Sequence, residues 1–269
     1  MLRLSLNETT TFRWSFEEDV KHYAAAGIPA IGVWRHKLSD CGLGKAVELL
    51  EVSGLAVSHL HWAGGFTGSD GRSFRAAVDD AIDALRTAVE LKTPCLVVYS
   101  GARAGHTLNH ARRLFRDALA ELAPVAEEMG VDLAIEPMHP ACAKEFTFLT
   151  RIDDVIEMIQ SVGSHAVKML YDTYHLGQKE ACVKRIPEIA HQVALVQLGD
   201  ARHPPTSEQA RCRLGDGMVP LGAIVRAFRA AGYSGDLDVE LIGEELETID
   251  YHQLIEHVQQ AFERLVATP

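Results

Sequence analysis

Short apolar stretches alternate along this chain with segments in which apolar residues return every three or four positions. A short apolar run predicts a buried β-strand, and the longer period predicts a helix with one apolar face. The predicted strands cover residues 2–6, 30–34, 56–61, 95–99, 133–136, 167–171, 193–198 and 237–241. The predicted helices lie near residues 16–26, 44–53, 73–92, 107–129, 152–162, 180–190, 218–232 and 248–266.

The predicted helix over residues 107–129 has the clearest signals at its end and the clearest conflict inside. Gly130 follows its last apolar position and suits a left-handed C-terminal cap. Pro124 lies within the helix, removes one backbone donor and is expected to kink it.

Strict alternation of strands and helices predicts a parallel sheet covered by helices. Eight repeats in 269 residues favour one α/β domain over residues 1–269, a closed (β/α)8 TIM barrel. The alternative is an open doubly wound sheet, which usually has a glycine fingerprint after its first strand. Residues 6–10 contain no glycine.

Composition and charge exclude several classes of protein. The chain has 26 basic and 37 acidic residues, a net charge of −11, which argues against a nucleic-acid partner. It has no apolar run of about 18 residues, so we expect no membrane partner. Its 5 cysteines form no CxxC pair and its start does not read as a signal peptide, so we expect a cytoplasmic protein without disulfides.

Carboxylates follow apolar residues at three predicted strand ends: Glu136, Asp172 and Glu240. In a barrel these ends converge on one face, where active sites lie. Packed carboxylates repel one another, and a divalent cation would relieve that repulsion. The alternative is a Lys or Arg partner for each acid, but the nearest, Lys168, lies at the start of its strand. The irregular stretch at residues 201–217 predicts a long loop, of a kind that is often functional.

The stretches at residues 135–140 (IEPMHP), 171–175 (YDTYH) and 238–240 (DVE) resemble the strand-end motifs of the xylose isomerase-like superfamily of sugar isomerases and epimerases. The resemblance covers essentially the whole chain. It implies one divalent metal ion held by Glu136, Asp172, Gln197 and Glu240. It also suggests a homo-oligomer, a dimer or a tetramer.

Gln197 stands where many members of that superfamily have histidine, and in this it resembles the hydroxypyruvate isomerase-like members. Glutamine binds a metal through its carbonyl oxygen, so all four ligands would be oxygens. Oxygen ligands favour Mn²⁺ or Mg²⁺ over Zn²⁺.

The resemblance implies an isomerase or epimerase that acts on a sugar or a small hydroxy-ketone. The metal would stabilise the enediolate left when the α-carbon loses its proton. Glu136 and Glu240 would lie on opposite sides of the substrate, one removing the proton and the other returning it. Return to the other face epimerises, and return to the neighbouring carbon isomerises. The sequence leaves both open.

Several further residues near the strand ends are candidates for binding the substrate. His175 is a candidate by resemblance; the others are candidates because they lie at or after strand ends, and each has an alternative structural role. For His61 and the preceding His59 that alternative is a barrel-interior histidine. The predicted substrate-binding residues are His175, His139, His61, Trp62, Arg202 and His203.

Three other functions are alternatives to this one. A metal-dependent dehydratase of the inosose or 3-dehydroshikimate type needs the same metal and the same proton removal, and stays open. A non-enzymatic sugar-binding barrel would be free to lose ligands, whereas all four positions hold donors. An apurinic endonuclease needs an Asp-x-His pair after strand seven, which residues 208–213 lack.

Overall fold

Eight parallel strands close into a barrel in the computed structural model, which describes residues 2–267. Each strand pairs with the next in sequence, and β8 pairs with β1 with Ser5 opposite Asp238. This closure confirms the TIM barrel and excludes the open sheet. The strands are β1 Arg3–Asn7, β2 Ala30–Trp34, β3 Ala56–Gly64, β4 Cys95–Tyr99, β5 Asp132–Ile135, β6 Val167–Asp172, β7 Val193–Leu198 and β8 Asp236–Val239.

Helices follow the strands and cover the outside of the barrel. They are α1 Phe16–Ala25, α2 Arg35–Cys41, α3 Leu43–Ser53, α4 Phe74–Glu90, α5 Leu108–Met129, α6 Ile152–Val162, α7 Thr173–Leu176, α8 Glu180–Lys184, α9 Ile186–Ile189, α10 Leu221–Ala230 and α11 Tyr251–Ala267. Within residues 2–267, none is long and apolar enough to cross a membrane.

The helices depart from the predicted pattern in two places. Helix α2 was not predicted, because its start, Arg35 to Lys37, is basic and carries no apolar period. The segment predicted as one helix over residues 180–190 is divided into α8, α9 and a 3₁₀ turn at Ala190–Gln192. Pro187 is the physical reason, since it favours a helix's first turn and interrupts a helix interior.

Helix α5 confirms the expected cap at its end and carries the predicted proline in its interior. Gly130 caps it in the left-handed conformation, with φ of 68°. The helix nevertheless runs from Leu108 to Met129 through Pro124. Its buried face, which includes Phe115, Leu119 and Leu122, packs in the main core. Such burial offsets the single backbone donor that proline removes.

Strand residues alternate between the inside of the barrel and the layer beneath the helices. On β4, Val97 and Tyr99 belong to a cluster with Leu170 and Leu195, whereas Leu96 and Val98 pack in the larger core with the helices. The period of two in a strand produces this division. It directs the last inward side chains of several strands to the carboxyl end of the barrel.

Candidate active site

Four buried or half-buried carboxylates gather at the carboxyl end of the barrel. Glu136 directly follows β5, Asp172 ends β6 and Glu240 directly follows β8; they are 1%, 0% and 4% exposed. The fourth, Glu208, comes from the loop between β7 and α10 and was not predicted. The convergence predicted from the strand ends is therefore present in the structure.

Arg211 lies among these carboxylates and is 2% exposed. Its Nη1 donates to Asp172 Oδ2 at 2.8 Å, and its Nη2 donates to Glu208 Oε2 at 3.0 Å and to Glu240 Oε2 at 3.4 Å. Its guanidinium carbon also lies 4.2 Å from the centre of the Tyr174 ring. We call Glu136, Asp172, Glu208, Glu240 and Arg211 the mouth cluster. In their ionised forms its acids carry four negative charges against one positive charge.

The loop between β7 and α10 holds Arg211 through its backbone and through Asp200. The Arg211 N–H donates to the Ile242 carbonyl at 3.2 Å. Asp200 Oδ1 and Oδ2 accept the N–H groups of Gly215, Gly217 and Val219, at 2.9 to 3.1 Å. Gly199 supplies space, because a Cβ there would lie 2.6 Å from Arg211 Nη1. The absence of a side chain at Gly199 therefore leaves room for the Arg211 guanidinium to contact Asp172.

Gln197 ends its side chain with an unused carbonyl oxygen. Its Nε2 donates to Asp238 Oδ2 at 3.3 Å, and Asp238 also accepts from Ser5 Oγ at 2.8 Å and Asn7 Nδ2 at 3.1 Å. Gln197 Oε1 is buried and has no hydrogen-bond partner among residues 2–267. A buried acceptor without a partner is costly, so this atom is suited to a ligand.

Burial and mutual repulsion raise the pKa of two of the mouth carboxyls. The pKa of Glu136 lies well above its usual value because the side chain is buried, and Asp172 and Glu240 add repulsion. Burial raises the pKa of Glu240 to about 8, although the Arg211 guanidinium opposes the shift. A raised pKa suits a carboxyl to exchanging protons with a substrate.

His175, on α7, faces the same acids. Its Nε2 lies 3.4 Å from Glu136 Oε1, 3.7 Å from Asp172 Oδ2 and 3.5 Å from Glu208 Oε1. Neither ring nitrogen has a hydrogen-bond partner in the part of the chain that the structure describes. Burial lowers the pKa of His175, while Glu208 and Asp172 oppose the shift.

A cavity of about 240 Å³ opens beside the carboxylates and has an aromatic wall. Trp62 lies in that wall with its ring centre 5.2 Å from Tyr99 and 6.4 Å from Phe146. The lining residues are Thr9, Trp34, His61, Trp62, Tyr99, Glu136, Met138, Phe146, Glu208, Gln209, Arg211, Glu240 and Ile242. Apolar faces beside a few charged groups are typical of a small-molecule site.

Comparison with known proteins supplies the family. The model of the xylose isomerase-like TIM barrel family matches residues 20–265. The chain belongs to this family. The resemblance seen in the strand-end motifs is thereby confirmed.

Relatives of this chain include isomerases and epimerases. The inosose isomerase of Bacillus velezensis is 20% identical over 278 residues, 99% of this chain and 98% of that protein. The D-psicose 3-epimerase of Enterocloster bolteae is 30% identical over 118 residues, 44% of this chain and 36% of that protein. A crystal structure of the IolI protein with a bound zinc atom has a TM-score of 0.86 at 18% identity, over 99% of this chain and 98% of that one.

Within this family fold, His61 and Trp62 line the cavity as predicted candidates for substrate contact. His61 Nε2 lies 3.3 Å from the Tyr99 hydroxyl. His59 lies deeper, beside Asn7 and Ser58. The two imidazole rings are 5.8 Å apart, on the shared side that strand alternation predicted.

Four of the predicted substrate residues do not line the cavity: His175, which faces the acids, and Arg202, His203 and His139. Arg202 and His203 are exposed on the outer side of the β7–α10 loop, where Arg202 Nε donates to Glu245 Oε2 at 3.3 Å. His139 is half-buried, and its Nδ1 accepts the Ala141 N–H at 3.3 Å. Local partners draw these side chains away, and Met138, which precedes His139, lines the cavity instead.

Sequence reasoning missed Glu208 and Arg211, which come from the long irregular loop. The loop itself was predicted to be functional, but no period or motif marked which of its side chains turn inward. Asp238 was also missed as the partner of Gln197. Its signal was present, because residues two apart on a strand share a face and Asp238 precedes Glu240 by two.

Proposed function

We propose that this protein is a divalent-metal-dependent isomerase or epimerase of a sugar or small hydroxy-ketone, acting by removal of an α-proton. One observation carries the proposal: Glu136 and Glu240 are buried at one cavity, and both have a raised pKa. They follow strands β5 and β8, which are three positions apart in a barrel of eight. Two carboxyls from separated strands are suited to approach a substrate from different sides.

The donor set supports a divalent ion held by Glu136, Asp172, Gln197 and Glu240. Gln197 Oε1 and Glu136 Oε2 are buried without partners among residues 2–267, so two donor atoms are free for a ligand. Arg211 leaves three of the cluster's negative charges unbalanced when its acids are ionised. All four ligand atoms would be oxygens, which favours Mn²⁺ or Mg²⁺ over Zn²⁺. When bound, the ion would supply Lewis-acid stabilisation of negative charge on substrate oxygens.

The side chains of this protein would carry out the proton transfers. One of Glu136 and Glu240, in its ionised form, takes the proton from the α-carbon, and the other, in its protonated form, returns one. Their raised pKa values lower the cost of holding that proton near neutral pH. Arg211 lines the cavity beside the acids and would donate hydrogen bonds to substrate oxygens.

The cavity favours a small substrate with both polar and apolar faces. Its volume of about 240 Å³ corresponds to roughly eight water molecules in the liquid. Trp34, Trp62 and Phe146 offer aromatic surface for the C–H face of a sugar, opposite the charged groups. His61 would contact a substrate hydroxyl near the Tyr99 phenol.

Solvent-deuterium incorporation tests this function directly. The full-length protein would be stripped of metal, reloaded with Mn²⁺, Mg²⁺ or Zn²⁺, and incubated in D₂O with a panel of ketoses, inososes and hydroxy-ketones. We expect deuterium at the α-carbon of at least one compound, in the Mn²⁺- or Mg²⁺-loaded samples above the Zn²⁺-loaded ones, and none in the stripped sample. Mass and NMR spectra of the product separate isomerisation, epimerisation and loss of water. A panel without any metal-dependent exchange would refute the proposal.

We also propose a cytoplasmic homo-oligomer, a dimer or tetramer. The five cysteines are all free, which suits a reducing compartment. Cell fractionation and light scattering of the purified protein test the two statements separately. A monomer at micromolar concentration would contradict the second.

A further inference from the structure

A second group of metal-binding side chains lies next to the mouth cluster. Cys142 comes from the connection between β5 and α6, His175 from α7 and Glu208 from the loop between β7 and α10. One ligand atom from each lies within 4.8 Å of the others. Cys142 is 6% exposed and His175 is 2% exposed, so two of the three side chains are buried.

This group contains donor atoms that the protein itself does not use. Both ring nitrogens of His175 and Oε1 of Glu208 lack hydrogen-bond partners among residues 2–267. His175 Nε2 and Glu208 Oε1 are 3.5 Å apart. Two ligands of a tetrahedral zinc site lie at about that separation, since bonds of about 2.0 to 2.3 Å place neighbouring ligands roughly 3.3 to 3.8 Å apart.

We propose that Cys142, His175 and Glu208 bind a second divalent ion of the zinc or cobalt class. A thiolate and an imidazole prefer these softer ions, whereas the oxygen donors of the first site favour Mn²⁺ or Mg²⁺. Three protein ligands leave a fourth position for water or a substrate oxygen. The two sites therefore differ in chemistry, and they adjoin at His175, which also lies within 4.8 Å of Glu136 and Asp172 ligand atoms.

Charge balance is consistent with two ions once their ligands are ionised; burial and Glu208 raise the pKa of the Cys142 thiol, so the thiolate forms with the ion bound. Four ionised carboxylates and Arg211 leave three negative charges, and one divalent ion reduces the excess to one. A Cys142 thiolate adds one negative charge, and a second divalent ion then brings the group to neutrality. Buried charge is costly unless it is compensated in this way.

The ion would connect the β5–α6 connection, helix α7 and the β7–α10 loop. Glu208 accepts from Arg211 through Oε2, so its Oε1 remains available to the ion while the ion pair persists. His175 would then bind the ion in place of the substrate contact that the sequence predicted. Cobalt binding decides between these two roles.

Cobalt binding to the full-length, metal-free protein tests the second site without an activity measurement. A thiolate bound to Co²⁺ gives a charge-transfer absorption in the near ultraviolet that oxygen and nitrogen ligands do not give. We expect two equivalents of Co²⁺ per chain and this thiolate band in the wild type. Cys142→Ser should lose the band and one equivalent while keeping the other. Cys212→Ser is the matched control, because Cys212 is another buried thiol, on the β7–α10 loop, and it should keep both.

A second variant keeps the test decisive if Cys142→Ser does not fold. Glu208→Gln retains the thiol, and we expect the Co²⁺ concentration that half-saturates the thiolate band to rise by about tenfold or more. A wild type that binds one equivalent without a thiolate band, or a band that survives Cys142→Ser, would overturn the proposal. Failure of the first site is distinguishable, since it would leave the band and remove the equivalent that does not depend on Cys142.

Discussion

Two buried ionic clusters lie near the carboxyl end of the barrel, and they differ in their ratio of acids to basic groups. In the first, Lys37 donates to Asp19 Oδ2 at 2.5 Å and to the carbonyls of Glu8 and Thr11 at 3.0 and 2.9 Å. We call Glu8, Asp19 and Lys37 the Lys37 cluster. The second is the mouth cluster, where Arg211 alone faces four carboxylates.

The Lys37 cluster is close to neutral and mostly satisfied. Asp19 Oδ1 accepts from Thr11 Oγ1 at 2.6 Å, and Glu8 Oε2 accepts the Trp34 N–H at 2.7 Å. Burial and the Asp19 charge raise the pKa of Glu8 well above its usual value, which favours the neutral acid. One ammonium and one carboxylate then balance. The mouth cluster instead has four acids for one guanidinium and orphaned ligand atoms beside a cavity, which indicates a site for a ligand.

The largest expected effect is the loss of proton exchange when one mouth acid becomes an amide. Glu136→Gln and Glu240→Gln should each reduce deuterium incorporation by about 10³-fold, within the range for removing a general acid or base. Neither change should lower the free energy of unfolding, because the raised pKa values show that a charge at either position is unfavourable in the folded protein. Glu245→Gln is the matched control, since Glu245 is an exposed acid that contacts Arg202. Exchange at the wild-type rate in both amide variants would contradict the assignment of acid and base.

The reverse result is expected for the Lys37 cluster. Lys37→Met leaves Asp19 buried without its partner, so unfolding should cost about 3–5 kcal/mol less. Exchange activity per folded molecule should be unchanged, since Lys37 does not line the cavity. Urea denaturation measures the first quantity. Lys45→Met, at an exposed pair with Glu17, should lower stability far less than Lys37→Met. Equal losses in the two Lys variants would mean that burial does not distinguish these pairs.

Mn²⁺ should stabilise the protein mainly through the mouth cluster. At a metal concentration 100 times the dissociation constant, binding to the folded state adds about 2.7 kcal/mol to the free energy of unfolding. Lys37→Met should gain the same increment as the wild type, whereas Asp172→Asn should gain much less because it lacks a proposed ligand. Thermal unfolding with and without Mn²⁺ measures the increment. An undiminished gain in Asp172→Asn would place the ion elsewhere.

The sequence predicted the three members of the mouth cluster that lie at strand ends. Glu136, Asp172 and Glu240 follow directly from apolar runs, and the barrel geometry brings any such strand ends together. Periodicity is a local property, so it was enough to locate the strands. The closed topology was confirmed for the same reason, because each strand pairs with its neighbour in sequence.

The two members that lie on the β7–α10 loop could not be predicted in the same way. Arg211 and Glu208 reach the mouth because Asp200 and Ile242 fix a loop that has no period of its own. Cys142 also meets His175 and Glu208 only through tertiary folding. The sequence shows that Arg211 is charged, but it does not show which carboxylates Arg211 contacts. The positive partner of these carboxylates comes from a segment far from them along the chain.

The smallest expected effect tests whether the position of Arg211 matters or only its charge. Gly199→Ala puts a Cβ 2.6 Å from Arg211 Nη1 and 2.9 Å from Tyr174 Cβ, so the guanidinium and Tyr174 must shift while the cluster keeps its net charge. We expect kcat/KM to fall by about tenfold, equivalent to roughly 1.4 kcal/mol. Gly222→Ala is the matched control, since a Cβ there makes only an ordinary contact at 3.4 Å with Arg226. If Gly199→Ala behaved like this control, the contrast between the two clusters would rest on the number of their charges, and the placement of Arg211 would have no part in the reaction.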